Sequence, residues 1–414
     1  TKIWLLYPKK KLSNYSVGVS MEQKKRVIVI GGGAAGLVAA ITAAEEGAAV
    51  TILEQNENPG RKICVTGNGR CNLTNRDMRP ELFRGNNPEI ARKVLEQFSL
   101  EDTLKFFHET GLSFAEKNGW IYPGSHQAKA VVDLLVSRAR ALKVKIKTRE
   151  QVKNVFVADN CWKTETEGWT YEGEAVILAN GSKASLVPGS DGSGYELAEK
   201  LGHKVILPVP ALTGLKAAGN VYKGWSGVRT EGKATLFING EKVCQEQGEL
   251  QLTDYGISGI PVFQISRYAS RALEENKKVS VSLNFFPAYT ETELREFLKK
   301  RQERCPWLGK QEIFTGILPE KLAKVLLKQK DPLKAAADFS LSIRDTSGFE
   351  QAQVCAGGVD TMEIHPETME SVLHKGLYFA GEVVDIDGPC GGYNLQWAWS
   401  SGAVAGRSSA KELI

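Results

Sequence analysis

The sequence predicts an α/β protein, a Rossmann-type nucleotide-binding domain interrupted by a β-rich domain. Three observations carry this. Residues 26–36, Arg-Val-Ile-Val-Ile-Gly-Gly-Gly-Ala-Ala-Gly, run an apolar strand into a G-x-G-x-x-G turn. Near Lys204 the character changes, and to about Phe286 short strands alternate with Gly, Pro and Asn turns. The last segment resumes the opening pattern, with Leu377-Tyr-Phe-Ala380 ending at Gly381-Glu382 and a small-residue helix over Asn394–Gly406. A chain that opens and closes on strand-to-glycine junctions holds its β domain as an insertion.

The first unit carries the dinucleotide fingerprint in full. After the turn come a helix from Leu37 to about Glu46 and a second strand, Ala49-Val-Thr-Ile-Leu53, ending in Glu54. Gly31 allows the tight turn, Gly33 lets backbone approach a pyrophosphate, and Gly36 lets the helix pack close to the strand. The helix start at Ala34 and Ala35 offers unpaired N–H groups and a positive dipole end. Glu54, about 20 positions on, is placed to accept the hydroxyls of an adenosine ribose. Gln55 beside it and Val152 complete this end of the expected site.

The next elements are read more coarsely. A Gly- and Asn-rich loop covers 56–76, with helical periodicity at 88–110 and at 127–142. Val144–Thr148, Val152–Ala158 and Cys161–Thr166 read as short strands. Glu174–Ala179 is a buried strand ending at Asn180-Gly181. In the middle stretch, Ala234–Ile238 before Asn239-Gly240 is a hairpin signal. Residues 291–303 and 319–329 read as amphipathic helices.

Two segments are dense in site-like residues. Arg61-Lys-Ile-Cys-Val-Thr-Gly-Asn-Gly-Arg-Cys-Asn72 follows the ribose-binding strand. Its glycines permit close approach, and Arg61, Lys62, Asn68, Gly69, Cys71 and Asn72 suit phosphate and polar ring edges. Cys64 and Cys71 invite a dithiol reading, but Thr66-Gly-Asn-Gly69 breaks the helix such a pair needs. Asp385-Ile-Asp-Gly-Pro-Cys-Gly-Gly-Tyr-Asn-Leu-Gln396 is the second. Gly391-Gly392 before a helix sets N–H groups of Tyr393, Asn394 and Leu395 where a flavin's N1/O2 edge needs donors. Asp387 suits a ribityl hydroxyl, and Cys390 is read as packed.

The totals exclude other classes. The 414 residues imply two or three domains, and the net charge of +5 does not indicate nucleic acid. Seven scattered cysteines fit reduced cytosolic thiols better than a disulfide framework. No apolar run approaches a membrane span. His108, His126, His203, His365 and His374 lack metal-ligand spacing, so no metal site is expected. Residues 1–20, before Met21, are read as an extension. Trp397 and Trp399 are read as core.

Gly31–Gly36, Thr66–Asn72 and Gly381-Glu-Val-Val-Asp-Ile-Asp-Gly-Pro-Cys-Gly-Gly-Tyr-Asn-Leu-Gln-Trp-Ala-Trp-Ser-Ser-Gly402 resemble the BaiN/YhiN-like FAD-dependent flavoproteins. That family includes aminoacetone oxidase and an enzyme proposed to reduce unsaturated bile-acid intermediates. The resemblance implies an FAD domain of the two-dinucleotide-binding class over 21–203 and 350–414. A β-barrel domain would cover 204–287 and 332–349, and a small helical domain 288–331. It also implies that Ala179, Asn180 and Gly181 line the nucleotide and that Ala356-Gly357-Gly358 lies near the ring. Gly381 and Glu382 open the family's long C-terminal motif. Where the family has a Thr-His pair, this chain reads Thr253-Asp254.

The expected function is hydride transfer between a small organic substrate and N5 of non-covalently bound FAD. With no second G-x-G-x-x-G, reoxidation falls to dioxygen, or to NAD(P)H sharing the substrate's site. Gly189-Ser-Asp-Gly-Ser-Gly194 lacks the strand and the acid. The alternatives are a flavin-dependent RNA-modifying protein and a non-catalytic FAD-binding protein. A cytoplasmic, membrane-free protein is expected. No residue is assigned as catalytic.

Overall fold

A computed structural model describes residues 24–185, 187 and 189–411. The proposed extension at 1–20 lies outside them. The first part of the chain runs β1 (Arg26–Ile30), α1 (Ala34–Glu45), β2 (Ala49–Glu54), α2 (Arg61–Val65), β3 (Thr74–Asn75), α3 (Glu89–Gln97), α4 (Leu100–Glu109), β4 (Phe114–Lys117), β5 (Trp120–Pro123) and α5 (Ala128–Ala141). It continues through β6 (Lys145–Thr148), β7 (Asn154–Ala158), β8 (Cys161–Glu165), β9 (Thr170–Gly173), β10 (Ala175–Leu178) and α6 (Ser193–Lys200). The middle holds β11 (Val205–Ala211), β12 (Leu215–Ala217), β13 (Val228–Ile238), β14 (Glu241–Leu252), β15 (Gly256–Ser258), α7 (Ile260–Glu274) and β16 (Val279–Asn284). Then come α8 (Glu291–Arg304), α9 (Glu320–Leu327), α10 (Pro332–Ala337), β17 (Phe339–Thr346), β18 (Val354–Val359), β19 (Leu377–Phe379) and α11 (Tyr393–Ala410).

Five strands form one parallel sheet in the order β19-β10-β1-β2-β6. Both faces are covered, so β1 and β10 are apolar throughout their buried lengths. Helices α1 and α11 lie against each other. A Cβ at Gly402 would stand 2.5 Å from the Ala35 carbonyl oxygen, and one at Gly406 2.3 Å from that of Ala39. The pairs 35/402 and 39/406 advance together, so the helices run in the same direction. Both start beyond the carboxyl edge of the sheet, where open α/β folds bind ligands.

Strands β12-β15-β14-β13-β16-β17 close a barrel. Antiparallel β11 and β18 bridge it to the nucleotide domain. Helices α8 and α9 add Leu294, Leu298, Leu322 and Leu326 to the barrel's own apolar cluster.

The structure departs from the sequence reading in several elements: the stretch read as a loop over 56–76 carries α2 and β3, and α10 lies in the 332–349 stretch assigned to the barrel. The periodicity at 88–110 is two helices, broken where Ser99 and Asp102 form a reciprocal cap that starts α4. Helix α7, inside the stretch read as all β, was hidden by Gly259-Ile-Pro261. These residues resemble a turn, yet Pro fits the first helical turn, where no N–H is needed.

Candidate functional site

The β1–α1 turn divides its glycines by what surrounds them. Gly31 has φ +101°, and a Cβ there would lie 2.5 Å from the Ala179 carbonyl oxygen at the end of β10. A Cβ on Gly36 would come within 1.9 Å of the Gly31 carbonyl oxygen. A Cβ on Gly33 would meet nothing within 4 Å, and no side chain caps α1. The turn therefore packs on two sides and leaves its third open at an uncapped, electropositive helix start. Asn180, next along from Ala179, keeps a buried Oδ1 with no partner. A Cβ on Gly181 would face open space as well.

At the end of β2 the Glu54 carboxylate is 7% exposed and already bonded. Its Oε2 accepts from the Gly32 N–H, and its Oε1 from the Asn56 N–H and side-chain amide, each at 2.8 Å. It ties the glycine turn to the strand end. The segment before Val152 runs alongside, with the Glu150 N–H donating to the Glu54 carbonyl. Gln55 donates to the Gly189 carbonyl, so the glycine run at 189–194 packs over β2 and leads into α6.

Gly381 and Glu382 follow β19 next to the α1 start; a Cβ on Gly381 would meet that of Ala35 at 2.8 Å. Glu382 accepts from Lys62 Nζ at 2.5 Å and from the Ser182 hydroxyl at 2.9 Å. This joins the 61–72 segment to the β10 exit. A Cβ on Gly358 would collide with the Val383 carbonyl oxygen at 2.6 Å. Arg61, Asn68 and Gly69 are exposed, whereas Cys71 is fully buried. The Asn72 amide nitrogen, in the orientation that satisfies it, donates to the Ile121 and Thr74 carbonyls.

The C-terminal motif makes a second uncapped helix start. Gly392, at φ +93°, precedes α11, and a Cβ there would stand 2.6 Å from the Thr74 backbone. Helix α11 begins nine residues before Gly402, so its start projects about 14 Å beyond the α1 contact. Several side chains of this motif serve the scaffold. The Tyr393 hydroxyl donates to the Asp77 carbonyl, and the Asn394 amide donates to Gly388. Gln396, fully buried, accepts from the Thr74 hydroxyl at 2.6 Å and donates to that of Thr103 at 2.7 Å. Trp397 and Trp399 are core residues whose indole N–H groups donate to Gly381 and Leu73.

Asp387 is paired across the domains. Its carboxylate, 1% exposed, is spent on a forked ion pair with Arg267 of α7, with Nη2 to Oδ1 at 2.9 Å. It clamps the motif to the barrel's helix. Asp385, two residues earlier, accepts from the Asn86 N–H but keeps Oδ1 buried and unpartnered. Burial raises its carboxyl above the usual range, against the pull of Arg271 and Arg267.

Helix α7 packs this motif against the barrel. It carries Gln264, Arg267, Tyr268 and Arg271 at this contact, and the Cys390 N–H donates to Gln264. Strand β14 presents Cys244 and Glu246. Burial pushes the Cys390 thiol up to about 12 and the Cys244 thiol to about 11. Cys390 packs with Phe263 against the β11–β18 cluster, as read from sequence. Cys64 and Cys71 are free thiols, and burial lifts that of Cys71 to about 12. Asp254, where the family's histidine was expected, is exposed.

With this geometry in view, the comparisons are decisive. A family model, the HI0933-like protein Rossmann domain, matches residues 25–408. This chain belongs to the HI0933-like family and is an FAD-dependent oxidoreductase. It is 44% identical over 381 residues to the 3-dehydro-bile acid delta(4,6)-reductase of Clostridium scindens, covering 88% of this chain and 93% of that one. It is 30% identical over 383 residues to the ribosomal RNA dihydrouridine synthase of Escherichia coli, covering 86% and 91%. In fold it is similar to the 3-ketosteroid-delta4-(5alpha)-dehydrogenase of Rhodococcus jostii. The TM-score is 0.52 at 16% identity, over 95% of this chain and 98% of that one.

The residues fit FAD. Two uncapped helix starts, the open face at Gly33, the carboxylate of Glu54 and the orphaned Asn180 Oδ1 line one sheet edge. Sequence reasoning missed Ser182, Arg84, Glu246 and the α7 row. The signal was present for α7: polar residues at 264, 267, 268 and 271 recur at helical spacing within an apolar stretch.

Proposed function

We propose that this protein holds FAD non-covalently along the sheet edge and reduces a carbon–carbon double bond conjugated to a carbonyl in a small, largely apolar molecule. The observation that carries the reading is the pair of uncapped helix starts, at Gly33 and Gly392, on helices that run in the same direction. One suits a pyrophosphate and the other an anionic ring edge. FAD, when bound, would supply hydride exchange with the substrate carbon. Gly31, Gly33 and the N–H groups of Ala34 and Ala35 would hold the pyrophosphate, and Glu54 the ribose. The N–H groups that open α11 would stabilise charge gathering at the ring edge. The walls given by Phe263, Cys390 and the β11–β18 pair would exclude water.

The names of the bile acid reductase and the dihydrouridine synthases both describe saturation of a double bond near a carbonyl. That shared chemistry supports conjugate reduction here. The 44% identity and the small net charge favour a small molecule. We place electron supply by a nicotinamide nucleotide at the substrate's own site, in turn with substrate, because the 189–194 run is packed on Gln55 and Asn56 and so offers no second nucleotide site. The free thiols fit a cytoplasmic setting.

The 30% identity to dihydrouridine synthases supports a second reading, reduction of uracil in RNA. Incubation with NADH or NADPH and either a conjugated steroid ketone or ribosomal RNA separates the two. Gain of two hydrogens by the ketone, seen by mass spectrometry, supports the first reading. Dihydrouridine with no steroid product replaces it with the second. Flavin that no nicotinamide reduces, with peroxide formed from an organic donor, points to an oxidase.

A further inference from the structure

Three arginines gather where the C-terminal motif meets α7 and β14, and two are committed. Arg267 holds Asp387. Arg271 donates to the carbonyls of Leu207 and Ala356. Arg84 differs. Its backbone is fixed to the C-terminal motif: its N–H donates to the Asp387 carbonyl at 2.8 Å, and its own carbonyl accepts from the Asp387 N–H at 3.0 Å. Its side chain leaves the nucleotide domain toward the barrel. The guanidinium carbon stands 5.5 Å from the Tyr268 ring centroid, as does that of Arg267. Its charge acts on Cys244 and Glu246 of β14 and on Cys390. Yet its Nη1 is buried and donates to no group among the described residues.

A buried guanidinium N–H without an acceptor is costly, and such groups in native structures mark a missing partner. The partner would reach Arg84 between α7 and β14, whose Tyr268, Cys244 and Glu246 the guanidinium faces. Its chemistry follows from the surroundings. Glu246 is half-buried on the row of β14 that also carries Cys244 and Leu250. Asp385 and Asp387 lie behind. Arg267 pairs with Asp387 and Arg271 acts on Asp385, so these charges largely offset one another, and a neutral carbonyl oxygen that gains charge only during reduction is matched to a single orphaned N–H.

We propose that Arg84, through Nη1, receives the carbonyl oxygen of the conjugated substrate where the C-terminal motif meets α7 and β14. This rests on the reading of the protein as a reductase of conjugated carbonyl compounds. Arg84 is then the residue that fixes which end of the substrate faces the ring, with Tyr268 holding its guanidinium plane.

The test is equilibrium binding by calorimetry to FAD-loaded protein, without turnover. The probes are a 3-dehydro-bile acid with a conjugated ring double bond, its analogue lacking the ketone oxygen, and its methyl ester. Arg84→Met should weaken binding of the ketone about 10- to 100-fold, the range for a hydrogen bond to a charged group. Arg84→Lys, which keeps the charge, should weaken it less. The analogue without the ketone oxygen should bind wild type and both variants alike.

Wild-type affinity of Arg84→Met for the ketone overturns the assignment. So does a penalty that vanishes with the methyl ester, which would give Arg84 to the carboxylate. Loss of FAD from both variants also overturns it, making Arg84 a cofactor ligand. Wild-type protein that retains FAD but binds none of the probes overturns the reductase reading itself, and is distinct from all three.

Discussion

Alanine at position 33 separates cofactor contact from folding. Gly33 has φ −78° and ψ −163°, a conformation alanine adopts freely, and its added Cβ meets nothing within 4 Å. The helix start loses a good cap residue but the unfolded chain loses freedom, so apo stability should change by less than about 1 kcal/mol. The methyl would occupy the space through which phosphate oxygens approach the α1 start. Withdrawal of the phosphate weakens one or two charge-assisted hydrogen bonds of about 1.5–3 kcal/mol each. We expect Gly33→Ala to weaken FAD binding by about 2–4 kcal/mol, roughly 30- to 1,000-fold in Kd. Gly36→Ala is the contrast. Its Cβ lies 1.9 Å from the Gly31 carbonyl oxygen, so α1 must move and apo stability should fall by about 1–3 kcal/mol. Thermal melting of apo protein and fluorescence titration with FAD read both quantities. Gly33→Ala with unchanged Tm and unchanged FAD affinity would show that no phosphate approaches there.

Three further outcomes follow from the same geometry. Glu54→Ala should destabilise even the apo protein by about 2–4 kcal/mol, because it orphans the Gly32 and Asn56 N–H groups, and should weaken FAD binding as well. An unchanged apo Tm would refute the first effect, and unchanged affinity in the folded fraction the second. Asp387→Asn and Arg267→Met should each destabilise by about 3–5 kcal/mol, while the double variant recovers much of that loss. Strict additivity in denaturant melts would mean the buried pair does not couple the two domains. Cys64→Ser and Cys71→Ser should leave flavin reduction intact, since the Cys71 thiol is held up to about 12. Loss of turnover in both, with FAD still bound, would move the site to dithiol chemistry.

Much of the nucleotide domain was legible because its signals are local. An apolar strand, three spaced glycines and an acid at the next strand end lie within residues 26–54, and each glycine's role follows from its place in one turn. Helix α11 was legible for the same reason. The contact of the C-terminal motif with α7 and β14 was not. Arg84 meets Tyr268 across 184 positions in sequence (268 − 84), and Asp387 meets Arg267 across 120. No local pattern encodes either pairing. Asp387 read as a ligand group, with no hint that Arg267 of a distant helix pairs with it. Glu54 read as a ribose acid, with no hint that it also anchors the glycine turn. The missed α7 shows the converse: its Gly-Ile-Pro start is a good helix start in a context that favoured turns.

The most direct test of the central claim is an anaerobic half-reaction. Protein loaded with FAD and reduced by a stoichiometric electron donor is mixed with a 3-dehydro-bile acid carrying a conjugated ring double bond, and the visible flavin spectrum is followed. The oxidised spectrum should return in proportion to the double bond saturated. Flavin that stays reduced in the presence of bound ketone would contradict the assignment of this protein as a reductase of conjugated carbonyl compounds.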